Sequence, residues 1–296
     1  MSPPDSPPDP HARGTVVDQT VGFVVIGRNE GDRLARALRS IGPTHLVVYV
    51  DSGSSDGSVE LARRLGAHVV LLDPLVPFTA ARARNAGARR LAEIQPHLCW
   101  VMFMDGDCEL LPGFLEAALV SARSDAALAV VAGRRRERCP GHSVYNRLCD
   151  DEWDTPVGDA KACGGDALIR LAAFGEVGGY DDRLIAGEEP ELCVRLRRAC
   201  WRVLRIDADM TLHDAAMTRL AQWWKRAKRA GHAYAEGAAL HGAPPERHWV
   251  RETRPGVFRW QRASFLVLAR FPEVLGVLRF ELGRHLRRPS RIMEHR

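Results

Sequence analysis

No uninterrupted apolar run in this chain approaches the roughly 18 residues that a membrane-spanning helix needs. The 26 Gly and 18 Pro follow no short period, and no segment repeats, so collagen-like, low-complexity and solenoid readings are excluded. The seven cysteines (Cys99, Cys108, Cys139, Cys149, Cys163, Cys193, Cys200) are odd in number and include no C-x-x-C pair. A disulfide framework or a structural zinc site is therefore not expected, a reducing compartment is, and most of the thiols read as small core fillers. No G-x-G-x-x-G follows the first strand-like run, which sets aside a dinucleotide-binding oxidoreductase.

What remains is a globular composition. The 296 residues (32.8 kDa) are 46% hydrophobic and 27% charged, enough for one large α/β domain or one domain with an appendage. Residues 1–20 open on MSPPDSPPDPHARG, a polar, Pro-rich stretch that reads as a disordered tail and not as a secretory signal. The net charge of +5 is unevenly spread: residues 215–296 hold 17 Lys+Arg against 6 Asp+Glu, and the preceding 214 hold 25 against 31. Acidic residues gather with the candidate chemistry and basic ones beyond it, which suggests an anion-facing role for 215–296.

Apolar runs at 21–27, 46–50, 68–72 and 98–104 read as strands. The stretches 31–41, 58–65 and 79–94 between them have helical spacing, with Asp56 or Ser55 available to cap the second. Such alternation predicts a mainly parallel sheet with flanking helices, whose ligand site lies at the carboxyl ends of its strands. Arg28-Asn29-Glu30, Asp51 and Asp105-Gly106-Asp107 all fall at those ends. After Val131 the pattern loosens. Residues 134–160 are polar, with Arg134-Arg135-Arg136 and an acidic stretch around Trp153. Helices are expected at 189–199 and 215–240, a strand at 201–207, and a basic amphipathic helix at 257–288 interrupted near Pro272.

The residue types at these ends suit phosphate and proton chemistry. Two carboxylates flanking Gly106 can face one hard cation, because glycine lets the backbone turn tightly, and such a cation bridges a diphosphate. Taken alone, the pair is more often a loop capping the next helix, and Asp51 within VDSGSSDGS is more often a turn residue. Glu188, Glu189 and Glu191 crowd a helix start. The dipole there stabilises negative charge, while mutual repulsion raises a carboxyl pKa and makes a general base. A lone His such as His213 is more often structural than a ligand.

The order of these pieces carries more than any one of them. Arg28-Asn29-Glu30, VDSGSSDGS (50–58), ARNAG (83–87), MDGD (104–107), GGDALIR (164–170), FGEVGGYDDRL (174–184), GEEPELCVRLRRACW (187–201) and His213 succeed one another as in the inverting GT-A glycosyltransferases of family 2. The resemblance covers about 21–214. It implies a Rossmann-like α/β domain of GT-A type, with a nucleotide-binding half (21–107), an acceptor-binding half (108–214) and a basic helical extension (215–296). It further implies a nucleotide-sugar donor, a UDP-sugar above all, and a Mn²⁺ or Mg²⁺ cofactor.

The same resemblance assigns residues. Asp51 would meet the nucleotide base, with Ile26, Arg28 and Glu30 lining that pocket, and Arg84 would reach the base or diphosphate. Asp105 and Gly106 would border the ribose, with Asp105 also at the metal. Asp107 would ligate the metal and His213 would complete its site. Gly164, Gly165, Asp166 and Trp153 would border sugar and acceptor. The family's Glu-Asp is Glu188-Glu189 here, which puts the base at Glu189 and leaves Glu188 as the alternative. Glu191 reads as structural. One base and no evident nucleophile imply inversion in one step, in contrast to the two-carboxylate arrangement of retaining hydrolases.

A hydroxyl acceptor follows, on a glycan, a lipid carrier or a small molecule. The basic 257–288 segment suits an anionic membrane surface, a docked helix or an oligomer contact, and the tandem Trp223-Trp224 suits packing. A cytoplasmic enzyme, peripheral at the inner face of the membrane, is the expectation. Nucleic acid is not expected as a partner, because the aromatics of 257–288 pattern as a packing face and not as stacking platforms. A nucleotidyltransferase, a retaining GT-A enzyme and a non-catalytic scaffold remain the rivals.

Overall fold

The computed structural model describes residues 21–242 and 260–286, the side chains of the second segment from 268 onward. The expected tail at 1–20, and the parts of the basic segment at 257–259 and 287–288, lie outside the described residues.

The first half is built as its periodicity predicts. Strands β1 (Val21–Gly27), β2 (Leu46–Asp51), β3 (His68–Leu71) and β4 (Trp100–Asp105) lie parallel in the order β3-β2-β1-β4. Helices α1 (Asp32–Ile41), α2 (Ser58–Arg64) and α3 (Ala80–Ile94) make the crossovers. Because side chains alternate across a strand, each strand feeds two cores. Phe23, Val25, Tyr49, Met102 and Met104 pack against Leu34 and Leu38 of α1. Val24, Val48, Val50, Val101 and Phe103 pack against Ala81 and Leu91 of α3. Truncating a fully buried aromatic such as Phe103 to Ala would cost about 3–5 kcal/mol.

The sheet stays mainly parallel, as expected, but the second half adds three strands that run against the rest. That half comprises β5 (Cys108–Leu110), α4 (Phe114–Ser124), β6 (Leu128–Glu137), α5 (Val144–Glu152), β7 (Gly158–Asp159) and β8 (Ala167–Arg170). Then come α6 (Leu171–Glu176), α7 (Glu188–Arg198) and β9 (Arg202–His213). The sheet continues as β4-β8-β6-β9-β5, with β7 on β9. Strand β8 runs antiparallel to β4 and β6, and β5 and β7 run antiparallel to β9, while β6 and β9 are parallel. No helical crossover separates β4 from β5, only Gly106 and Asp107, so β5 cannot continue the parallel set. The two expected halves share one sheet.

Three further expectations change. Arg134–Arg136 belong to β6, and their charges hid the strand because each is neutralised by a carboxylate at its side. Strand β9 runs on to His213, since Asp207 and Asp209 alternate outward while Met210 and Thr211 are buried. Of the free cysteines only Cys108, Cys149 and Cys193 are buried, whereas Cys99, Cys139 and Cys200 are exposed. They are not mostly core fillers.

Two helices complete the described chain, α8 (Leu220–His241) and α9 (Trp260–His285). Helix α9 passes unbroken through Pro272, which is buried on its inner face against α8. Packing there outweighs the lost backbone hydrogen bond. Among the described residues no helix is long and apolar enough to cross a membrane.

Candidate active site

The carboxyl ends of β1, β2 and β4 form one ledge, and backbone bonds fix it. After β1 the chain turns through Asn29, whose φ of 56° is left-handed. Its amide donates to Ser54 Oγ (2.9 Å), and its Oδ1 accepts from the Ser55 amide (2.8 Å). The Gly106 amide donates to the Ile26 carbonyl at 2.7 Å, pinning the DGD turn to the end of β1. A Cβ at Gly106 would stand 3.1 Å from both that oxygen and Glu30 Cγ, so glycine is what permits this approach.

Pairing of β5 with β9 places Cys108 opposite His213, which brings Asp107 to 3.3 Å from His213 Nε2. Burial works against the charge on both groups, but each favours the other's ionised form. The Asp107 carboxyl is held below its usual range, and His213 is pushed up to about 9. His213 Nδ1 faces the buried Glu137 at 3.8 Å. Glu137 is anchored in turn by Asn146 and by the amides of Cys139 and Ala215. The Trp153 ring stands edge-on to the imidazole, with centroids 4.8 Å apart.

Behind this pair lies a network of ion pairs built on two arginines. Arg84, presented by α3 and 2% exposed, binds Asp105 (2.8 Å), Glu188 (2.8 Å) and Glu189 (3.1 Å). Arg135 binds Asp105 (3.2 Å) and Asp166 (2.9 Å). Burial would raise the Asp105 carboxyl, but Arg84 and Arg135 bring it down to about 2. Asp166 is fully buried and also accepts from Thr211 Oγ1 (2.6 Å) and from the Asp105 amide (3.0 Å). A Cβ at Gly165 would fall 2.7 Å from Arg84 Nη2 and 2.9 Å from Asp105 Oδ2, so the network closes over bare backbone.

Glu188 and Glu189 open α7, where the helix dipole favours carboxylates. Glu188 is almost wholly buried on Arg84, whereas Glu189 is the more accessible of the two. Burial, then the neighbouring Glu188, lifts the Glu189 carboxyl to about 7 against the opposing pull of Arg84. Glu30 is likewise lifted to about 7, by burial and then by Asp107.

Several expected residues therefore sit differently from what their motifs imply. Both Asp51 oxygens are engaged within the loop, by Tyr49 Oη (3.0 Å) and by the Gly53 and Ser54 amides (2.9 and 2.8 Å). Arg84 is engaged by three carboxylates, Asp105 of the ledge among them, because burial demands that its charge be neutralised. Asp166 lies beneath the site and does not line it. Gly164 is exposed with open space around it, and Arg28 stands exposed over Phe78, its guanidinium carbon 5.7 Å from the ring centroid. Glu191 binds Arg195 (2.6 Å) and is structural, as expected.

Arg135 and Glu137 were not foreseen. A triple arginine in a supposed loop was the signal available, since three adjacent charges need partners.

One ligand atom each from Asp107, Cys108 and His213 lies within 4.8 Å of the others, and the same holds for Asp105, Cys108 and Asp166. The second group is already neutralised by Arg135, and the Cys108 thiol, its pKa raised by burial, is a poor ligand for a hard ion. The first fits a divalent cation through Asp107 and His213. The otherwise unbonded His213 Nδ1, facing Glu137, is the arrangement that orients a ligating imidazole.

Residues 23–157 match the family described as glycosyl transferase family 2. Those residues, just under half of the chain, carry the family 2 glycosyltransferase pattern. It is 26% identical over 194 residues to the succinoglycan biosynthesis protein ExoA of Rhizobium meliloti, covering 60% of this chain and 57% of that protein. It is 30% identical over 235 residues to the pre-mycofactocin glycosyltransferase of Mycobacterium tuberculosis, covering 75% and 48%. The chain thus spans about half the length of these curated relatives. In structure it superimposes with a TM-score of 0.55 on the mannosyltransferase PcManGT of Pyrobaculum calidifontis, solved with GDP-Man and Mn²⁺. That match is 19% identical and covers 96% of this chain and 79% of the other, which shows the shared GT-A fold.

Proposed function

We propose that this chain transfers a sugar, with inversion, from a nucleotide-sugar donor to a hydroxyl acceptor, with Glu189 as general base. One observation carries the reading: Arg84 binds Glu189 and Asp105 together, which fixes a carboxylate of pKa about 7 beside the DGD turn. A base poised near neutrality is most effective at neutral pH.

Asp107 and His213 would hold Mn²⁺ or Mg²⁺, which would supply positive charge to neutralise a diphosphate leaving group. Binding there displaces the His213 proton, so affinity falls as pH falls. Glu188 keeps Arg84 occupied while Glu189 accepts the acceptor proton, as the acceptor oxygen attacks the anomeric carbon from the face opposite the leaving group. Arg28, Phe78 and the loop closed by Asp51 flank the nucleotide, while Trp153 and Gly164 flank the sugar and acceptor. A UDP-sugar is the first donor to test. The acceptor is a hydroxyl of a glycan, a lipid carrier or a small molecule.

Calorimetric titration of UDP, GDP and dTDP, each with and without Mn²⁺, tests the reading. One nucleotide should bind only with the cation, and Asp107→Asn should weaken that binding roughly 100-fold. Binding that ignores both the cation and the substitution would refute it.

A further inference from the structure

Helix α9 has two unlike faces. Its inner face meets α8 at glycine. A Cβ on Gly231 would lie 2.7 Å from the Glu273 carbonyl carbon, and one on Gly276 would lie 2.7 Å from the His232 amide nitrogen. Such contact between backbones fixes which face of α9 is turned inward. Phe280, on that inner side, meets the buried His232 ring at 5.3 Å.

The outer face is then left to solvent, and it is apolar. Leu268, Phe271, Leu275, Leu278 and Leu282, spaced three and four residues apart, are 44–62% exposed. This is a continuous stripe along four turns, longer than the scattered single apolar residues of an ordinary surface. Burying such side chains is favourable.

Charge decides what covers it. Residues 257–296 hold nine Arg against three Glu and no Lys. A second copy docking on the stripe would bring two such basic flanks together. A surface of lipid phosphates complements them, and guanidinium groups bind phosphate bidentately. Exposed Arg279, beside the stripe, can extend to headgroups while its stem lies among the apolar side chains.

We propose that α9 docks on the surface of an anionic lipid bilayer, with the Leu268–Leu282 stripe in the headgroup–acyl boundary. The helix lies on the membrane and does not span it. Helix α8, which α9 grips, also carries Trp223 against Cys149 and Met217 and has Arg226 bound to Glu152 at 2.5 Å. Docking would thus hold the catalytic domain by its α5 side. The proposal does not depend on the reaction, and its test needs no sugar nucleotide.

The test is co-sedimentation of the full chain with phosphatidylcholine vesicles and with vesicles in which about a third of the lipid is phosphatidylglycerol. Binding is expected to the second kind only, and to weaken as salt rises. Phe271→Ser with Leu278→Ser should lower partitioning roughly tenfold or more, with circular dichroism and Mn²⁺-dependent nucleotide binding unchanged. Leu278→Trp, which keeps the apolar area, should bind as the unaltered chain does. Equal partitioning by the double-serine variant would overturn the proposal. So would a dimer in light scattering that the same variant splits while neither form binds vesicles, since a second copy would then own the face.

Discussion

Asp105 and Asp107 are two residues apart on one turn, yet their surroundings differ in kind. Asp105 belongs to the arginine-held group, where two arginines hold it ionised and Asp166 anchors its backbone. Asp107, no more exposed than Asp105, meets no arginine among the described residues and is paired instead with a histidine whose charge depends on pH. The two glutamates repeat the contrast, with Glu188 buried on Arg84 and Glu189 more accessible and lifted to about 7. A carboxylate neutralised by buried arginines is a fixed strut. One left partly uncompensated can take up a proton or a cation. Position in the network, more than residue type, separates positioning from chemistry.

Substitutions of the partly uncompensated carboxylates should therefore cost reaction, and those in the arginine-held group should cost stability. The largest effect is expected at Glu189→Gln, with transfer down about 10³-fold or more and nucleotide binding retained, measured by initial rates and calorimetry. Glu188→Gln should lose far less, and the reverse ranking would exchange the two roles. Next comes Asp166→Asn, which leaves Arg135 short of a buried partner. It should destabilise by about 3–5 kcal/mol in denaturant unfolding, whereas Asp107→Asn should change stability little. Equal stability losses at the two sites would dissolve the distinction. The smallest effect is expected at Gly165→Ala. Its methyl must push the ends of Arg84 and Asp105 aside, which should destabilise by about 1–3 kcal/mol in the same unfolding measurement while nucleotide binding is retained.

The sequence is legible where local pattern and tertiary role coincide. Strands β1, β2 and β4 are buried on both faces, so they read as apolar runs, and the DGD turn stands out because its glycine and acids follow such a run. It is misleading where charge is neutralised at a distance. Arg135 in β6 and Glu137 at its end look like loop residues until Asp105 and Asp166 are brought to the first from remote parts of the chain and Asn146 of the next helix meets the second. Arg84 matches its motif in position, but its three carboxylate partners come from β4 and α7, which spacing alone cannot reveal. The run through Pro272 is hidden for the same reason, since contact with α8 supports it.

The pH dependence of transfer, using the donor selected by titration, tests the central claim most directly. A base must be ionised to accept a proton, so with a Glu189 pKa of about 7 the rate at saturating Mn²⁺ and donor should be level above that pH. Below it the rate should fall about tenfold per unit. That limb should vanish from the residual activity of Glu189→Gln. A rate that stays level down to about pH 5, or an unchanged limb in the variant, would contradict the assignment of Glu189 as the base.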